Sequence, residues 1–382
     1  MRNDGPIVPQ PNEGKGAVMF LFCLLLMTQP KVSSISIDAI YKPLSASKVG
    51  MSSTGHWYVL DSTNKQVLHF DPHGQALPPI AREGNGPGEL KLPGGISIFG
   101  DALWVTDYYQ GTQVFGLDGK FLYSRKINHP FALPEPIANG WVYEVSDAQK
   151  GITELFWANP DLEDEKSLLA FDVPDQEMFF QLGQGSLKVT FRPGQELPTW
   201  HLDPSREKLF VFIPGSGELV VVDLLTQEIT GHFPIPFERQ PMNTGWAKQE
   251  ARNLEKRILL NGKKSPLDMD TKIPDTFPII SDFIVGPEGK IWLFDGPSLM
   301  DSHHFAELLT TSGKPTSSDF PHAEVERIVA TQGDQVWFIS FDGEKEIPIL
   351  RRCHRRDLAN QMAKYPNRRQ GEGLPPLNIT TQ

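Results

Sequence analysis

Cysteine is nearly missing from these 382 residues: there are two, Cys23 and Cys353. Cys23 sits in an apolar run, and Phe-Leu-Phe rather than small residues precede it, so it does not make a lipoprotein box. A chain that loses this run keeps one cysteine, which excludes an internal disulfide framework and leaves stability to packing. Long hydrophobic stretches are scarce too. The run from Ala17 to Met27 follows Lys15 and is 11 residues long. That is too short to span a bilayer but suits the core of a signal peptide. Small residues around Val32, Ser33 and Ser34 supply a cleavage site. We therefore expect a signal peptide over 1–32 and a mature chain starting between about residues 29 and 36. Export to the periplasm or beyond, with no transmembrane segment in the mature chain, follows from that reading.

Positive charge is in deficit. Lys and Arg number 36 against 47 Asp and Glu, for a net charge of −11, which argues against nucleic acid as the partner. Catalytic signatures are missing as well: there is no G-x-S-x-G, H-E-x-x-H, Cys-His pair or clustered metal spacing. The stretch AREGNGPGEL (81–90) is rich in glycine, but Glu89 and Leu90 follow Gly88 where a P-loop needs Lys-Ser/Thr. The chain then enters KLPGGISIFG, which cannot run as a helix. The basic RRCHRRD (351–357) reads as a solvated end, and the sequon at Asn378 matters only in a eukaryotic secretory setting.

What the sequence has is turns, a core and a repeat. Gly and Pro occur 33 times each, and 39% of residues are hydrophobic, with 10% aromatic. A strand with a large apolar residue, a turn and a second strand recur as HWYVLDSTNKQVLHF, ALWVTDYYQGTQVFGLDGKFL and KIWLFDGPSLM. Weaker copies begin at Gly140, Lys208 and Gln335. Measured from Trp57, Leu103, Trp141, Leu209, Ile291 and Val336, the spacings are 46, 38, 68, 82 and 45 residues. Three match a four-stranded propeller blade of roughly 40–50 residues, and the other two carry insertions. The pattern predicts an all-β, six-bladed β-propeller of four-stranded antiparallel blades with a short helical insertion on one face. Blades fall near 45–78, 95–128, 133–173, 198–236, 278–315 and 322–353, with insertions at 174–198 and 238–277 and a polar tail over 354–382. The last blade lacks an outer strand, which SSISIDAIY (33–41) can supply.

The segments GNGPGEL, LPGGISI, LWVTD and VFGLDGKFL, with IPDTFPIISDFIVGPEGKIWLFD (273–295), resemble secreted bacterial six-bladed propellers related to NHL repeats. The resemblance covers about residues 35–353 and implies the fold. It is nearly silent on activity, because that family hosts scaffolds, sensors and a few enzymes. Phe212-Ile213-Pro214 stands where the second blade has Val105-Thr106-Asp107, so the third and fourth blades depart from the pattern.

Crossings between blades share a face with the loops between second and third strands, and both insertions enter at crossings. Ala247, Ala251, Leu254 and Ile258 recur at helical spacing and end at Asn261-Gly262, predicting a helix over 245–260. Its apolar face is mostly alanine, which suits packing over the propeller better than binding a membrane. The candidate binding-face residues are Asp61, Asp107, Tyr108, Tyr109, Trp246, Asp295, His303 and His304. Acidic groups around a funnel could hold Ca2+, but an Asp that ends a strand more often caps its own turn. No cofactor is expected. The reading is a monomeric, non-enzymatic binding or scaffold module with a protein or small-molecule ligand on the insertion-bearing face. The alternative is a metal-dependent hydrolase or lyase, lactonase-like or streptogramin-lyase-like, working in the axial funnel.

Overall fold

Short runs of aromatic and β-branched residues alternate with Asp- and Gly-containing turns, and each run becomes a strand. The computed structural model describes residues 32–36, 49–126, 129, 132–147, 151–172, 187–191, 196, 198–249, 252, 267–280, 282–286, 289–294, 305–309, 315–316, 327–332, 335–341 and 348–354. Blade by blade, the first antiparallel sheet is β2 (Val49–Met51), β3 (Trp57–Asp61), β4 (Gln66–Phe70) and β5 (Ala76–Ile80). Next come β6 (Pro93–Phe99), β7 (Ala102–Asp107), β8 (Gly111–Gly116) and β9 (Phe121–Arg125). The third is β10 (Glu135–Ile137), β11 (Gly140–Asp147), β12 (Ile152–Ala158) and β13 (Glu165–Asp172), and the fourth is β15 (Thr199–Leu202), β16 (Lys208–Phe212), β17 (Glu218–Asp223) and β18 (Glu228–Pro234). Backbone order continues with β20 (Asp282–Val285), β21 (Lys290–Phe294), β22 (Phe305–Leu309) and β23 (Pro315–Thr316). The last sheet joins β24 (Arg327–Gln332), β25 (Gln335–Phe341) and β26 (Pro348–His354) to β1 (Val32–Ser36) from the other end of the chain. The fold is all-β and propeller-like.

The core lies between sheets, as it must when one sheet cannot cover both of its own faces. Tyr58, Leu60 and Val67 of the first pack on Ile96, Leu103 and Val105 of the second. Trp104 meets Trp141 edge-on, with centroids 5.1 Å apart. Val142 and Leu155 face Leu209, Val211 and Val222, and Phe210, Phe212 and Leu219 face Phe283 and Leu293. First strands of neighbouring sheets also meet: β2 lies against β6 and β24, β6 against β10, β15 against β20, and β20 against β24.

Two differences from the sequence reading stand out. The outer strand of the last sheet starts at Val32, one residue before the expected segment, and is described only to Ser36. The insertions also contain strands that were not foreseen. β14 (Leu187–Phe191) and β19 (Leu267–Thr271) pair in parallel, with Leu187 opposite Leu267 and Phe191 opposite Thr271. Of the expected helix, residues 244–249 and 252 are helical, and the remainder lies outside the described residues.

Candidate functional site

Strand alternation puts the β3–β4 and β7–β8 turns, the crossings and both insertions on one face. The crossing at 81–92 is built on Glu89. Its Oε2 accepts the Gly86 N–H at 2.8 Å and its Oε1 faces Arg82, and these contacts hold the carboxyl below its usual range. A Cβ on Gly84 would lie 2.0 Å from Glu89 Oε2, and Gly88 has φ +76. Glycine is therefore there for the fold of the crossing.

Asp61 and Asp107 end β3 and β7 on this face, and both are buried. Asp61 Oδ1 accepts the N–H groups of Thr63 and Asn64, while Oδ2 takes Asn64 Nδ2 at 2.6 Å. In Asp107, Oδ1 accepts from Tyr109 and Gln110, and Oδ2 from Lys91 and Leu92 at 2.7 Å each. Each carboxylate therefore knits a turn, and Asp107 also holds the crossing before it. Tyr108 is pushed up in pKa by burial, and its ring occupies the space a Cβ on Gly94 would need. Tyr109 is 57% exposed beneath Lys91 Nζ, 4.9 Å from the ring centroid. Trp246 packs edge-on against Phe277 with centroids 5.1 Å apart, at the base of the second insertion. Asp295, His303 and His304 lie outside the described residues. Asp61, Asp107, Tyr108 and Tyr109 thus gather over the first two sheets, apart from Trp246.

Three residues that the sequence reading passed over organise the other half of this face. Glu196, in the first insertion, accepts the Gly215 N–H (2.6 Å) and Arg239 Nη2 (2.8 Å) through Oε2, and the Ile279 N–H (2.9 Å) through Oε1. Arg239 and Ile279 stand near the two ends of the second insertion, whose base is closed by a Pro241–Thr276 bridge. One carboxylate therefore ties both insertions to the fourth sheet. Farther in, Trp200 Nε1 on β15 donates to Glu144 Oε2 on β11 at 2.9 Å. Ser146 Oγ donates to the other oxygen at 3.2 Å. Burial raises the pKa of Glu144, and the two hydrogen bonds only partly oppose this.

Glu144 yields a pH prediction. Its folded pKa exceeds the unfolded one, so its contribution to stability falls as pH rises from about 4.5 through the folded value. Glu144→Gln keeps an acceptor for Trp200 and should raise the unfolding midpoint at pH 7, with the gain vanishing below about pH 4.5. Melts across pH check this; a loss at pH 7, or a gain that persists in acid, overturns it.

No family model matches the chain, and no curated protein does. Among solved structures it is similar to a Bacteroides fragilis protein described as exported, at 12% identity over 84% of this chain and 94% of that one, with TM-score 0.49. It is similar to a DUF4221-family member from Bacteroides vulgatus at 11% identity over 85% and 98% of the two chains, with TM-score 0.49. A streptogramin B lyase matches at 12% identity over 84% and 96%, with TM-score 0.41.

Proposed function

We propose that this chain is an exported, six-bladed propeller that binds a protein or small-molecule ligand on its insertion-bearing face, as a non-enzymatic module. Contact of β24 with β2 and the pairing of β1 with β26 support a closed six-blade ring. Export rests on the apolar run at 17–27. The observation that carries the binding face is the joining of the two insertions, by the parallel β14–β19 ladder and by Glu196. Segments about 80 residues apart in sequence bear the ordering cost of pairing with each other. A surface built this way is the natural place for recognition, because its loops vary without disturbing the blades.

The test replaces 243–262 with a Gly-Ser linker, leaving β14, β19 and Glu196 in place. The expected result is an unchanged melt with loss of binding to the partner recovered by pull-down from the native host. Lost folding, or binding that survives intact, sinks the proposal. The catalytic alternative has one observation in its favour: Glu144, held partly protonated beside the inner strand β15, is suited to donate a proton.

A further inference from the structure

The opposite face, carrying the β2–β3 and β4–β5 loops, holds a pair of histidines that no part of the binding proposal uses. His56 Nδ1 and His69 Nε2 are 3.0 Å apart. His69 is buried on β4, and Tyr58 stacks on its ring at 4.6 Å and 15°. Tyr58 is itself fixed by donating its hydroxyl to the Leu117 carbonyl of the second sheet at 2.9 Å. His56 is held from the other side, its N–H donating to Ser52 Oγ at 3.0 Å. The two ring nitrogens are therefore aimed at each other by separate pieces of scaffold.

We propose that His56 and His69 form a bidentate site for a late divalent transition ion of the Zn2+ or Cu2+ kind. Two nitrogens each about 2.0–2.1 Å from a tetrahedral ion stand about 3.3 Å apart, so the observed spacing needs to open by only a few tenths of an ångström. Two neutral imidazoles facing each other share one proton and make one hydrogen bond. On metal binding, that proton moves to the outer nitrogen of its own ring. No proton is lost, and both lone pairs converge on the ion. Imidazole suits Cu and Zn, whereas a hard Ca2+ or Mg2+ wants oxygen.

The charge around the pair fits a cation. Asp71, at the end of β4, interacts electrostatically with both rings. Its Oδ1 is occupied by the N–H groups of His73 (2.9 Å) and Gln75 (2.8 Å). Among the described residues no set of three His, Cys, Asp or Glu is placed to hold a metal, so water completes the coordination.

The experiment titrates the purified mature chain with Zn2+ against a chromophoric chelator, and separately with one equivalent of Cu2+ followed by electron paramagnetic resonance. Expected are one strong Zn2+ equivalent and a Cu2+ spectrum with hyperfine splitting from two imidazole nitrogens. His69→Gln, which can still hydrogen-bond His56, should weaken Zn2+ binding more than about tenfold. Because the spectrum is read on the unaltered protein, it decides the matter even if the variant misfolds. A spectrum with one nitrogen or none, or equal Zn2+ affinity in a folded His69→Gln protein, overturns the proposal. As the site lies away from the insertions, its failure would not touch the binding-face reading, nor would the reverse.

Discussion

Deleting residues 32–36 from the mature chain should lower its urea midpoint sharply and expose the amides of 349–353 to rapid hydrogen exchange. Those five residues pair with β26 in a continuous register, from Val32 opposite Cys353 to Ser36 opposite Ile349. A ladder of that length carries four or five backbone hydrogen bonds, worth roughly 2–6 kcal/mol in total at about 0.5–1.5 each. That is a large part of the 5 to 15 kcal/mol that about spans typical domain stability. The strand also joins the two chain ends, so its loss leaves β26 as an unpaired edge open to association with other chains. A ring held by such a clasp should lose cooperativity along with stability. Equal urea midpoints for the two chains would refute closure by β1. The same geometry sharpens the export expectation: leader cleavage must fall before β1, so the exported form should begin at Val32 or earlier. N-terminal sequencing that finds a first residue beyond Val32 would contradict it.

What could be read from sequence divides along physical lines. The central hairpin of each blade was legible because its signals are local: apolar alternation in WYVLD, then an Asp whose carboxylate caps the turn. That local signal also misled in part. Asp61 and Asp107 resemble binding residues around a funnel, yet every described bond they make is to their own turn or crossing, plus Asn64 and Gln66 side chains at Asp61. The pairing of β14 with β19 could not be foreseen, because a parallel ladder between distant segments leaves no turn between them to recognise. Glu196, Glu144, His56 and His69 escaped for the same reason. Their partners lie on other strands or in other sheets, and an isolated Glu or His carries no periodic mark.

Arg206 is the clearest case of a residue invisible in sequence and central in space, and Arg206→Ala should be among the most damaging single changes in the chain. The turn between β15 and β16 is pinned by Asp203, whose Oδ1 accepts the N–H groups of Glu207 (2.8 Å) and Lys208 (2.7 Å). Arg206 sits there at φ 58, a left-handed conformation uncommon for a side chain of this size. From this position the guanidinium reaches two other sheets. Nη1 donates to Glu135 Oε2 (3.1 Å) and to the Pro136 carbonyl (2.6 Å) on β10. Nη2 donates to Ser97 Oγ and to the Ile98 carbonyl (3.3 Å) on β6, and the charge lies 5.3 Å from the centre of the Phe99 ring. One side chain, 13% exposed, thus latches the fourth sheet to the inner strands of the second and third. Truncation leaves Glu135 without its cation and two carbonyls without donors in a sheltered site, a loss of about 3–5 kcal/mol. Lysine has the charge but not the planar fork, so Arg206→Lys should recover less than half of that loss. Arg206→Gly separates the backbone from the latch, since it relieves the left-handed turn, worth on the order of 1 kcal/mol, while still removing the guanidinium. The expected order of urea stability is wild type, then Arg206→Lys, then Arg206→Gly close to Arg206→Ala. An Arg206→Gly protein as stable as wild type would show that the turn, and not the latch, is what the residue contributes.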